Sequence, residues 1–308
     1  MSREPSVGGL PSANEVPHWE DPRRALARHG ARPKRSFSQN FLVARPIVEA
    51  IADAVGIAPG DPVLELGPGL GTLSAALVRR GARVLAVEKD REMIGVLEDD
   101  LVSPCSPLRE GAPLPNGAAF EVEEGDATSV DLTALRARWG RRDGHEPSPL
   151  VVVGNLPYAV TGAIFKNLVA HRADVARAIV MIQKEVRDRL LAEPGTKDYG
   201  TLTVFVRASY RVESVLKAPA GAFHPPPRVE SAVVRLVPRA DPIEETDAFR
   251  RAVRACFEQR RKTLRNGLVA IVGAARADEV LSRAGIDGRR RGETLSLVEI
   301  AALASALA

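Results

Sequence analysis

The 308-residue sequence predicts an α/β fold: a mostly parallel, Rossmann-like sheet with helices on both faces, followed by a small all-helical C-terminal domain. Three observations carry this. From about residue 34 to 241, short apolar runs alternate with helix-patterned segments, as βα units do. The first of these runs meets a glycine loop that opens a helix, and from about residue 242 onward only helical periodicity remains.

Residues 1–33 are rich in proline, glycine and charge without hydrophobic periodicity, and are expected to be a disordered tail. Pro62-Val63-Leu64-Glu65-Leu66 then reads as a buried strand, Gly67-Pro68-Gly69-Leu70-Gly71 as a turn, and Thr72 onward as a helix. Glycines there permit positive φ and let a ligand approach the backbone, while the helix start offers unpaired N–H groups. The next strand, Arg83-Val84-Leu85-Ala86-Val87, ends in Glu88, 21 residues after Gly67. An acid at that distance can accept hydrogen bonds from both hydroxyls of a ribose. A third strand, Ala119-Phe120-Glu121-Val122, leads to Gly125-Asp126, where a carboxylate can accept from a cofactor's adenine amine. Glycine loop and acid fit either a dinucleotide or S-adenosylmethionine, and on these residues alone both stay open. Segment 103–117, with Pro104, Pro107, Pro113 and Pro115, reads as a surface insertion before the third strand.

The apolar run Val151-Val152-Val153-Gly154 ends in Asn155-Leu156-Pro157-Tyr158. An adenine amine is a poor nucleophile because its lone pair is delocalised into the ring, so hydrogen-bond acceptors must draw it out of conjugation. The Asn155 side-chain oxygen and the Leu156 carbonyl supply two such acceptors, Pro157 fixes the backbone that bears them, and Tyr158 offers a stacking face. Residues 178–182 form a further apolar strand, and 212–216 with 232–236 suit an antiparallel pair at the sheet's edge. From Asp247 the pattern is a basic amphipathic helix, and Ser296-Leu297-Val298-Glu299 is a capping box before a terminal apolar helix.

These residues carry a resemblance. The chain resembles the bacterial small-subunit (16S) rRNA adenine N6-dimethyltransferases, the KsgA/RsmA type, from about residue 34 to the C-terminus. Matching stretches are Arg35-Ser36-Phe37-Ser38-Gln39-Asn40-Phe41-Leu42, the glycine loop, Glu88, Gly125-Asp126 and the Asn155–Tyr158 box. Further on come Gln183-Lys184-Glu185-Val186, Phe223-His224-Pro225-Pro226-Pro227-Arg228-Val229 and Gln259-Arg260-Arg261-Lys262-Thr263-Leu264-Arg265-Asn266. The resemblance implies a seven-stranded S-adenosyl-L-methionine-dependent methyltransferase sheet that dimethylates N6 of two adjacent adenosines near the 3′ end of small-subunit rRNA. It further implies that Asn40, Leu42, Gly67, Gly69, Glu88, Asp126 and Asn155 line the cofactor site. Asn155, Leu156, Pro157 and Tyr158 would hold the target adenine, with Phe223 covering its other face. The partner it implies is rRNA in an immature small ribosomal subunit, bound by a monomer in the cytoplasm.

Composition is compatible with this and excludes other classes. Hydrophobic residues make up 45% and charged residues 27%, as in an ordinary globular protein. Cys105 and Cys256 suggest neither a disulfide framework nor a metal cluster, the five histidines lack metal-binding spacing, and no apolar run is long enough to span a membrane. No metal and no membrane are expected. Net charge is +4, concentrated in 23–35, 250–265 and Arg289-Arg290-Arg291. Within 250–265 the basic residues are opposed only by Glu258, so Arg260, Arg261, Lys262 and Arg265 are the expected contacts to RNA phosphates. Three rival readings remain: a large-subunit rRNA dimethyltransferase of the antibiotic-resistance type, a nicotinamide oxidoreductase, and a non-catalytic RNA-binding assembly factor on the same fold. The second leaves the Asn155–Tyr158 box without a role, and the third is at odds with an intact set of cofactor elements.

Overall fold

The computed structural model describes residues 19–102, 119–141 and 146–308; the proline-rich segment 103–117, Cys105 and residues 1–18 lie outside the described part. The chain opens with helix α1 (Pro22–His29), strand β1 (Phe41–Leu42) and α2 (Arg45–Val55). The alternation then follows as β2 (Pro62–Leu66), α3 (Thr72–Arg79), β3 (Arg83–Glu88), α4 (Arg91–Leu97), β4 (Ala119–Glu124), α5 (Leu132–Trp139), β5 (Leu150–Asn155), α6 (Thr161–Ala170) and β6 (Val175–Gln183). Helices α7 (Lys184–Leu191) and α8 (Thr201–Ser209) precede β7 (Tyr210–Ala218), β8 (Phe223–His224) and β9 (Ser231–Pro238). Four helices close the chain: α9 (Asp247–Phe257), α10 (Leu264–Val272), α11 (Ala274–Ala284) and α12 (Leu297–Leu307).

Seven strands form one sheet in the order β4-β3-β2-β5-β6-β9-β7, parallel from β4 to β6 and antiparallel at β6/β9 and β9/β7. The expected antiparallel edge pair is β7 with β9. Strand order reverses between β2 and β5, which leaves a crevice at their carboxyl ends, where open α/β sheets take their ligands. Strand alternation sorts the side chains to two cores. Val63, Val84, Val151 and Val153 pack with α2 and α3, whereas Leu64, Leu85, Val152 and Val180 pack with α5, α6 and α8.

Three expectations need correction. Residues 22–33 are no tail: Asp21 caps the start of α1 by accepting from the Arg23 N–H, and Gly30 at φ 63 ends it. Its Ala25 and Leu26 are buried with Phe41, Leu70, Met93 and Val96, and Arg28 pairs with buried Asp100 at 2.7 Å. The basic stretch from Asp247 is likewise not one helix, because α9 stops at Phe257 and α10 restarts only at Leu264, capped by Thr263. The core of the C-terminal helices also begins upstream of residue 242, since Ala192, Tyr199, Val204 and Ala208 are buried in it.

Candidate active site

One cleft sits at the carboxyl ends of β2, β3 and β5, walled on the other side by segment 36–42. The glycine loop forms its floor. Gly67 and Gly69 stand at φ 67 and 58, the left-handed region open to glycine, and a Cβ on Gly69 would lie 2.9 Å from the Phe41 ring. A Cβ on Gly67 would stand 4.0 Å from Pro157 Cδ, so the loop and the Asn155–Tyr158 turn are immediate neighbours.

Glu88 ends β3 nearly buried, and its carboxylate is already held: Oε2 accepts from Gly69 N–H at 3.1 Å, and Oε1 from Lys89 and Asp90 N–H at 2.8 and 2.9 Å. Burial pushes this carboxyl up, against the pull of those three donors. Counting lone pairs, Oε2 keeps one position for a further donor beyond these three. Asp126 is more exposed. Its Oδ2 accepts from Lys89 Nζ at 2.7 Å and its Oδ1 from the Thr128 hydroxyl and N–H at 2.6 and 2.9 Å, which hold the carboxyl down at about 2. An acceptor position again remains, on Oδ2.

Asn155, at the end of β5, donates its Nδ2 hydrogen to the Asn40 carbonyl at 3.0 Å. That bond assigns the amide, leaving Oδ1 as an acceptor. Leu156 N–H donates to Met181 O at 3.0 Å, which pins the turn to β6, while the Leu156 carbonyl receives no donor among the described residues. Pro157 O accepts from the Val160 N–H and the Thr161 hydroxyl, closing the turn into α6. Tyr158 is half-buried, with its hydroxyl 2.7 Å from the Ser231 Oγ. Burial raises its pKa, which keeps the phenol neutral and the ring free to stack. Two unused acceptors beside an aromatic face can grip a planar base through an exocyclic amine.

Asn40, Leu42, Gly67, Gly69, Glu88, Asp126, Asn155, Leu156, Pro157 and Tyr158 all line this cleft. Phe223 does not. It is 3% exposed and packs in the core beside β1, opposite Leu42 in the β1/β8 pair. Sequence reasoning missed three contributors. Glu65 lines the cleft from inside β2, fully buried, and burial pushes its carboxyl up to about 7 against the 2.6 Å hydrogen bond from Ser74. The available signal was a lone charge within an apolar strand. Ser231 fixes the Tyr158 ring from β9, and nothing in the local pattern marks it; Gln39 ties the cleft wall to Asp90, and its one signal was its place in the matching stretch beside Asn40.

The basic region differs from its expectation. Arg260 pairs with Glu293 at 2.8 Å and Arg265 with Asp278 at 2.6 Å, so Glu258 is not the sole opposing acid. Arg261 and Lys262 are exposed and have no side-chain partner among the described residues. Cys256 is buried, and burial pushes its thiol up to about 12, as suits a core residue. Among the described residues no helix is long and apolar enough to cross a membrane.

A family model described as ribosomal RNA adenine dimethylase matches residues 30–308. A ribosomal RNA small subunit methyltransferase A of Anaeromyxobacter dehalogenans (strain 2CP-C) is 42% identical, covering 94% of this chain and 98% of its own length. One from Myxococcus xanthus (strain DK1622) is 43% identical, covering 94% and 95%. Among solved structures, a dimethyladenosine transferase from Plasmodium falciparum shares the fold with TM-score 0.69, 24% identity and coverage of 85% and 95%. The 23S rRNA methyltransferase ErmE aligns with TM-score 0.61, 27% identity and coverage of 87% and 99%.

Proposed function

The chain belongs to the ribosomal RNA adenine dimethylase family, and from that premise we propose that it dimethylates N6 of two adjacent adenosines near the 3′ end of small-subunit (16S) rRNA. Its cofactor is S-adenosyl-L-methionine, which supplies an electrophilic sulfonium methyl when bound. The residues fit that group: a glycine loop that brings backbone to the cleft floor, and two strand-end carboxylates, each fixed in place with an acceptor position to spare. Glu88 takes a ribose hydroxyl and Asp126 the adenine amine, while Asn40 and Leu42 close the wall.

The observation that carries the reading is the Asn155 amide, oriented by the Asn40 carbonyl so that its oxygen is the group left to accept. That oxygen and the Leu156 carbonyl take the two hydrogens of the target amine, favouring a tetrahedral nitrogen and the positive charge that develops on it. Holding amine and methyl donor in one orientation supplies most of the acceleration, and the alkylated amine is acidic enough to lose its proton to water. Tyr158, held by Ser231, stacks on the base once it has left its neighbours. The substrate is the rRNA of an immature small subunit, the enzyme acts as a monomer, and Arg261 and Lys262 contact the RNA backbone.

The large-subunit reading keeps one point in its favour, the shared fold with ErmE. The higher identity to small-subunit methyltransferases, 42–43% against 27%, favours the first reading. The test incubates the protein and S-adenosyl-L-methionine with undermethylated small subunits and, separately, with large-subunit rRNA, followed by nuclease digestion and mass detection. N6,N6-dimethyladenosine in the small-subunit arm alone is expected; a product confined to the large-subunit arm overturns the assignment.

A further inference from the structure

The wall of the cleft, segment 34–42, holds a conformation its sequence does not favour. After a 3₁₀ turn (Arg35–Phe37), Ser38 sits at φ 52, and among the described residues it is the one non-glycine residue at positive φ. A serine stays in that region only when its surroundings hold it there. Gln39 supplies the hold. Its Oε1 accepts from Lys34 N–H at 2.7 Å, its own N–H donates to Lys34 O at 3.3 Å, and its Nε2 donates to Asp90 Oδ2 at 2.8 Å. Lys34 Nζ reaches the other Asp90 oxygen at 2.7 Å, and Asp90, 3% exposed, donates its N–H to Glu88. The loop is thus stapled on itself and onto the end of β3. The next residue, Asn40, presents the carbonyl that accepts from Asn155.

We propose that Gln39 is a positioning residue for methyl transfer: by stapling Lys34 to Asp90 it sets the Asn40 carbonyl, which in turn holds the Asn155 amide with its oxygen toward the target amine. Without the staple the Asn40 carbonyl is held only by the β1/β8 pairing that follows it and the Asn40–Ser38 bond, and the Asn155 amide can more readily present nitrogen in place of oxygen, which repels the amine hydrogens. The inference rests on the reading of Asn155 as the acceptor of those hydrogens. Although Gln39 lines the cleft, both ends of its amide are taken, by the Lys34 N–H and by Asp90, so its effect passes through Asn155.

A double-mutant cycle tests this, using single-turnover methyl transfer to small-subunit RNA at saturating cofactor. Gln39→Ala should lower the rate about 10-fold in the parent and by less than about 2-fold in an Asn155→Ala background, because the two residues act as one unit. Ser38→Gly, which accepts φ 52 without strain, should recover most of the rate lost in Gln39→Ala and protects against a variant that fails to fold. An equal loss in both backgrounds, no loss in the parent, or no recovery with Ser38→Gly overturns the positioning role. Normal turnover by Asn155→Ala alone would instead overturn the functional reading beneath it.

Discussion

At the carboxyl ends of β2, β3 and β5 the polar side chains are fixed by neighbours a few ångströms away, with Glu88, Asp126 and Asn155 each keeping acceptor capacity; at the turn between α9 and α10, Arg261 and Lys262 have no side-chain partner among the described residues while Arg260 and Arg265 do. The cleft is preorganised for one ligand geometry. The turn offers exposed, unpaired charge, suited to a polyanion whose phosphates need neutralising but not exact placement. The proposed function thus assigns chemistry and docking to separate parts of the chain, with different expected tolerances to substitution.

The largest expected effect follows from that separation. Reversing Arg261 and Lys262 to glutamate should abolish productive binding of small-subunit RNA while leaving cofactor affinity unchanged. Arg260 is best left alone, because its reversal would also set two acids against each other at Glu293. Neutralising Lys262 singly should flatten the salt dependence of binding by about 0.7–0.9 log units, the slope carried by one neutralised phosphate. Parent-like RNA binding by the double reversal, measured across salt, would leave the turn a solvated face.

The two regions also differ in how readily their sequence could be read. In the cleft, function resides in residue kind and short spacing: a glycine loop, an acid at the next strand end, and an amide before Leu-Pro-Tyr. The parallel sheet brings strand ends together of itself, so these residues converge as expected. Around the turn, charge depends on acids distant in sequence, Glu293 for Arg260 and Asp278 for Arg265, and no local pattern shows those pairings. The burial of Phe223 was illegible for a related reason, since the β1/β8 pair that buries it is a non-local contact. Helix α1 was legible and overlooked: Asp21-Pro22 is a start signal and Gly30 a stop, but the segment's proline and charge content hid them.

A smaller effect is expected within the cleft. Glu88→Ala should weaken S-adenosyl-L-methionine by about 10- to 100-fold, the worth of the one charge-assisted hydrogen bond that the Oε2 position allows. Isothermal titration reads this directly, and RNA affinity should hold. A loss well beyond that range would show that both ribose hydroxyls reach the carboxylate after all, and an unchanged affinity would remove Glu88 from the site.

The smallest effect concerns stability. Glu65 has a folded-state pKa of about 7, raised from 4.5 by burial, so the stability its neutral form contributes is fully present below 4.5 and is lost as pH rises through 7. Glu65→Gln should therefore match the parent near pH 4 and gain on it steadily up to about pH 7, reaching on the order of 3 kcal/mol. Urea unfolding across pH measures the gap, and a gap independent of pH would mean that Glu65 titrates in the fold as it does in the unfolded chain.

In the proposed mechanism the Asn155 oxygen and the Leu156 carbonyl share the hydrogens of the adenine amine, and of the two only the Asn155 oxygen can be removed by substitution. Single-turnover methyl transfer by Asn155→Ala, at saturating S-adenosyl-L-methionine and small-subunit RNA, with cofactor affinity titrated on the same protein, tests it directly. A rate lower by about 10²-fold or more with cofactor affinity little changed is the expected result, as for loss of one preorganised polar group at a developing charge. A near-normal rate, or a loss wholly explained by weaker cofactor binding, would contradict the assignment of Asn155 as the acceptor that activates the adenine amine.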